Sequence, residues 1–67
     1  MDYNEWGMEY LNEAQRLKGH LAPLRRRARL AKNEEANKLY RRIALLNDMY
    51  LDCLHTGRYL VRIGAKR

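Results

Sequence analysis

The stretch from Asn33 to Ile63 constrains the fold more than any other. Apolar and small residues recur through it at alternating steps of three and four: Ala36, Leu39, Ile43, Leu46, Tyr50, Cys53, Gly57 and Leu60, with Gly64 just beyond. A helix returns to the same face at that spacing, and a seam repeating about every 3.5 residues packs lengthwise on other helices. Residues 2 to 31 carry a second seam of the same kind: Tyr3, Gly7, Tyr10, Ala14, Leu17, Leu21, Leu24, Ala28 and Ala31. In it the small residues Gly7, Ala14 and Ala28 alternate with the large Tyr3, Tyr10, Leu17 and Leu24. Small residues facing a partner let two helices approach closely. Leu, Ala, Glu, Lys and Arg dominate the composition, which favours helix throughout.

Lys32-Asn33-Glu34-Glu35 separates the two seams. Asn33 suits a helix N-cap, and Glu34 and Glu35 suit the first turn that follows, where the helix dipole favours negative charge. A connection this short makes the helices antiparallel neighbours. The expected fold is all-α: a single domain over 1–67, with helix 2–31, a turn at 32–33, helix 34–63 and a frayed tail 64–67. Two points leave alternatives. Pro23 cannot donate to the carbonyl of Gly19, so the first helix either kinks near Gly19–Pro23 or breaks there into a separate helix from Ala22 to Ala31. The seam keeps its phase across the interruption, which favours the kink. Gly57 either stops the second helix or is a small seam residue within it. The apolar Tyr59, Leu60, Val61 and Ile63 favour continuation.

A chain of 67 residues with one cysteine has no internal disulfide to support its small core. Its second helix also has more apolar residues than one seam uses. Leu45 and Met49 form a second stripe, and Ala44 and Leu51 a third. Uncovered stripes of this kind mark interfaces. The expected oligomer interface is Ala44, Leu45, Met49 and Leu51, joining two hairpins into a four-helix bundle.

Residues 25–42 hold eight basic side chains, Arg25, Arg26, Arg27, Arg29, Lys32, Lys38, Arg41 and Arg42, against Glu34 and Glu35. Elsewhere six basic residues balance six acidic ones, so the net charge of +6 sits at the loop end of the hairpin. Such a tip is open to three readings: it satisfies the helix dipole and keeps the chain in solution, it contacts nucleic-acid phosphates, or it meets an acidic protein. The folded-back register also sets Asp2, Glu5 and Glu9 at the level of Arg58 and Arg62, and Arg16 and Lys18 near Asp48 and Asp52. Ion pairs across the hairpin are expected there.

No catalytic constellation accompanies these features. The chain has no Ser, and Cys53 falls in the seam as a small apolar residue. His20 and His55 fit no metal-ligand spacing, and no Gly-rich phosphate loop is present. No enzyme activity, metal or cofactor is expected. The lone Cys suits a reducing compartment. No apolar run is long enough to span a membrane, and the acidic start is unlike a secretory signal. A cytoplasmic setting follows as an expectation.

The stretch Leu39-Tyr40-Arg41-Arg42-Ile43-Ala44-Leu45-Leu46 and then Met49-Tyr50-Leu51-Asp52-Cys53-Leu54-His55-Thr56-Gly57-Arg58-Tyr59-Leu60, together with Trp6-Gly7-Met8-Glu9-Tyr10-Leu11, resembles short uncharacterised proteins of firmicute prophages and mobile elements. The resemblance implies a bacterial setting and brings no activity or site residues. The expected function is that of a self-associating helical adaptor or regulatory module. The alternatives are a small basic nucleic-acid-binding protein, and an inhibitor or accessory subunit of a host or phage enzyme.

Overall fold

The computed structural model describes residues 2–66. The chain forms two helices, α1 (Tyr3–Leu30) and α2 (Asn33–Ala65), packed against each other along their length as an antiparallel hairpin. The hairpin is a rod 52 Å long and 14 Å across its Cα atoms. Its length is that of α2 itself, since 33 residues of helix rise about 50 Å.

Asp2 caps α1. Its Oδ1 accepts from the backbone N–H groups of Asn4 and Glu5 at 3.0 and 3.2 Å, satisfying two donors that the first turn leaves without helical partners. α1 then runs unbroken through Gly19 and Pro23, so no separate helix begins at Ala22. Both residues are exposed, and water can cover the Gly19 carbonyl that Pro23 leaves without a donor. At the far end the N–H of Ala31 closes on the carbonyl of Arg27 at 3.0 Å.

The turn differs from its expectation. Asn33 is not the N-cap of α2: it has a φ of 58°, and Lys32 occupies the cap position without a side-chain cap bond. Asn is among the few residues other than Gly that enter the left-handed region at low cost. α2 runs past the expected end at Ile63, through Gly64 to Ala65, with Lys66 as its C-cap. Arg67 lies outside the described residues.

Every residue of both seams is buried or half-buried. Leu17, Leu21, Ala14, Ala28, Leu39 and Leu60 are the buried apolar residues, and Leu21 is the most enclosed large side chain. Gly57 is a seam residue and not a stop. At the open end it packs against Gly7, and Gly64 packs against the backbone of Asn4. These contacts keep the helices in close approach and bring α1 and α2 into a register where residue numbers sum to about 66.

Rod shape leaves much surface in water. The accessible area is 5444 Å², whereas a compact protein of 8.0 kDa exposes roughly 4,400 Å². The Cα radius of gyration is 15.3 Å, against about 11 Å for a compact chain of this length.

Candidate functional site

The two flanks of the hairpin differ in charge, and helical periodicity is the cause. On α1, Trp6, Glu9, Glu13, Arg16, His20, Pro23 and Arg27 recur at steps of three and four, just to one side of the seam. On α2, Arg42, Leu45 and Met49 do the same, followed one turn on by the seam residue Cys53. The two rows meet on one flank. There a groove of about 480 Å³ is lined by Leu17, Pro23, Leu24, Leu46 and Met49, with Arg16, His20, Arg27 and Arg42 around it. Nearer the open end, the same flank has a depression formed by Trp6, Glu9, Tyr10, Glu13 and Cys53. Trp6 sits between Tyr3 and Tyr10, with ring centroids 6.3 Å from each.

This flank is electrically bipolar. Asp2, Glu5 and Glu9 gather around Trp6 at the open end, and Arg27 and Arg42 stand at the tip end of the groove. Between them Arg16 Nε donates to both carboxylate oxygens of Glu13 at 3.0 and 3.1 Å, and Nη2 of Arg16 also reaches Glu13 Oε1. Those hydrogen bonds, helped by the positive charge of Arg16, hold the Glu13 carboxyl below its usual pKa and raise that of the Arg16 guanidinium. Arg16 Nη1 also lies 3.5 Å from His20 Nε2.

Among the described residues, Glu13–Arg16 is the ion pair that forms, and it lies within α1. The cross-hairpin pairs expected between Asp2, Glu5 or Glu9 and Arg58 or Arg62 do not form. The register does bring them to one level. Glu5 and Glu9 share the groove flank with Trp6, whereas Arg58 and Arg62 lie on the opposite flank by their helical spacing from Tyr40, Asn47 and Leu51.

On that opposite flank, Nη2 of Arg25 donates to Oδ1 of Asn47 at 3.4 Å, and Arg25, Arg29, Tyr40 and Ile43 line a shallow depression. The eight basic residues of the tip are all exposed, yet they do not converge. Arg25 and Arg29 face one flank, Arg27 and Arg42 the other, while Lys38 and Arg41 border a depression with Glu34 and Asn37. The four residues expected at the oligomer interface divide in the same way. Met49 lines the groove, and Leu45 stands one turn before it. Ala44 and Leu51 share the flank of Tyr40 and Asn47 by their helical spacing. Leu45 and Met49 are 62% and 45% exposed. The bipolar flank was missed in the sequence, although its signal is there: acidic residues at 5, 9 and 13 and basic ones at 16 and 27 share one helical row.

Among the described residues, no group of three or more His, Cys, Asp and Glu side chains could hold a metal, and no helix is long and apolar enough to cross a membrane. Comparison with family models, curated proteins and solved structures finds no match to this chain.

Proposed function

We propose that the chain is a self-associating helical adaptor or regulatory module that acts through protein contacts, and that the groove flank is where two copies meet. The observation that carries this reading is the charge polarity of that flank. Leu17 and Met49 stand at its middle. Glu9 lies about 12 Å from that level toward the open end, and Arg42 about 10 Å toward the tip. An antiparallel second copy, related by a two-fold axis through Leu17 and Met49, sets the acidic end of each chain on the basic end of the other. A parallel copy sets like charge on like charge, at a cost of several kcal/mol.

Area supports the same partner. The hairpin exposes about 1,000 Å² more than a compact protein of its mass, and a standard interface removes about 800 Å² from each partner. Leu45, Met49 and Trp6 supply exposed apolar side chains beside the groove.

Size-exclusion chromatography with light scattering tests the reading. The chain is expected to elute as a dimer at micromolar concentration. Met49→Asp is expected to give a helical monomer, since Met49 lies outside the seam that joins α1 to α2. A wild-type monomer would overturn the proposal.

A further inference from the structure

The flank opposite the groove carries a second surface, independent of self-association. We propose that Lys18, Arg25, Arg29, Tyr40, Arg58 and Arg62 dock along the phosphate backbone of duplex DNA. On α1, Lys18, Arg25 and Arg29 follow Leu11 at helical steps, and Leu11 itself packs against Gly57. On α2, Tyr40, Asn47, Leu51, Arg58 and Arg62 recur at steps of seven and four. The Arg25–Asn47 hydrogen bond ties the two rows together at the tip end.

Among the described residues, no Asp or Glu lines the depression of Arg25, Arg29 and Tyr40, and none lies within a turn of Arg58 or Arg62 along α2. Glu5, Glu9 and Glu13 belong to the groove flank, and Asp48, two heptads before Arg62, and Asp52 stand between the two clusters along α2. Each of the two arginine pairs therefore has no carboxylate within it, and that is the condition under which basic side chains can displace counterions from a polyanion.

Their placement along the rod selects the polyanion. Arg25 and Arg29, with Tyr40, form one cluster near the tip. Arg58 and Arg62 form another at the open end, where Gly7 meets Val61 and Asn4 meets Gly64. In the hairpin register the clusters are some twenty residues of helix apart, about 32 Å at 1.5 Å per residue. One turn of duplex is about 34–36 Å, so a rod lying along the duplex brings each cluster to the backbone one turn apart. A flat anionic membrane offers no such period. Tyr40, 52% exposed, can donate its hydroxyl proton to a phosphate oxygen.

Fluorescence anisotropy with the full chain tests this, using a labelled DNA duplex of about 20 base pairs, one of about 8 base pairs, and vesicles of anionic phospholipid. The long duplex is expected to bind with a steep salt dependence and the short one, which cannot span both clusters, at least tenfold more weakly. Arg25→Gln/Arg29→Gln and Arg58→Gln/Arg62→Gln should each weaken binding about tenfold and lower the salt slope by about two. Arg26→Gln/Arg41→Gln removes the same charge from the outer side of the tip and should change affinity less than about threefold. Circular dichroism of each variant establishes that the helices remain. Absent duplex binding at low salt, equal loss in the outer-side variant, or binding to vesicles alone would overturn the proposal.

Discussion

The carbonyl oxygen of Gly57 stands 2.9 Å from where a β-carbon on Gly7 would sit, and the carbonyl oxygen of Gly7 is 3.0 Å from the same point on Gly57. At the open end, then, the helices are separated by little more than their own backbones. Gly7→Ala must push α2 away, because Val61 N and Gly57 O, both backbone atoms, stand in its path. Overpacking of this kind costs about 1–3 kcal/mol, only partly offset by the better helix propensity of Ala. Urea denaturation should find Gly7→Ala less stable than the parent. Gly57→Ala should cost less, since its nearest obstacle is the flexible Leu11 side chain.

Gly19 is the contrasting case. Nothing lies within 4 Å of a β-carbon built on it. Gly19→Ala is expected to stabilise the hairpin by about 1 kcal/mol through helix propensity alone. A destabilised variant would mean that α1 bends there in a way that needs glycine.

Pro23 lies inside α1 and is exposed. Pro23→Ala supplies the missing N–H and removes the ring from the Gly19 carbonyl. A gain of up to about 3 kcal/mol is expected in denaturant unfolding, with increased ellipticity at 222 nm (roughly one more helical hydrogen bond). Unchanged stability would contradict a continuous α1.

At the turn, Asn33 holds a φ of 58°. Asn33→Gly should match the parent or exceed it slightly in thermal unfolding. Asn33→Val should lose about 1–2 kcal/mol, because its branched side chain resists left-handed backbone. Equal stability of the two variants would exclude this conformation.

Glu13 offers a small pH dependence of known sign. Its carboxyl is held below the ordinary 4.5 by the Arg16 hydrogen bonds. A group whose folded pKa is lowered contributes stability above its unfolded value, and loses it as pH falls through the folded one. Glu13→Gln should therefore be slightly less stable than the parent at neutral pH, with the difference shrinking as pH falls through the lowered folded pKa. The pair faces solvent, so added salt should shrink the difference.

Both seams were legible in the sequence, residue by residue, from Tyr3 to Ala31 and from Ala36 to Gly64. A repeat of three and four has one helical interpretation, and Gly57 and Gly64 fall on it as naturally as Leu39 and Leu60. The turn was not legible, because Asn suits both an N-cap and a left-handed residue, and only the backbone path distinguishes them. The charge of the tip was legible, but its division between the flanks was not. Arg25, Arg26 and Arg27 are adjacent in sequence, but each step turns the helix by about 100° and sends the three in different directions. Charge therefore sorts by flank as well as by distance from the loop. That sorting sets Glu9 and Arg42 on one flank with Met49 between them, and leaves Arg25 and Arg29 on the other.

A charge-reversal mixing experiment is the most direct test of charge-matched self-association through the groove flank. Glu5→Lys/Glu9→Lys makes the groove flank basic at both ends, and Arg27→Glu/Arg42→Glu makes it acidic at both ends. Each variant alone should run as a monomer near 8.0 kDa by light scattering. An equimolar mixture should run at twice that mass, because each end of one chain then meets opposite charge on the other. Persistent homodimers of either variant, or a mixture that stays monomeric, would contradict the antiparallel pairing through Leu17 and Met49.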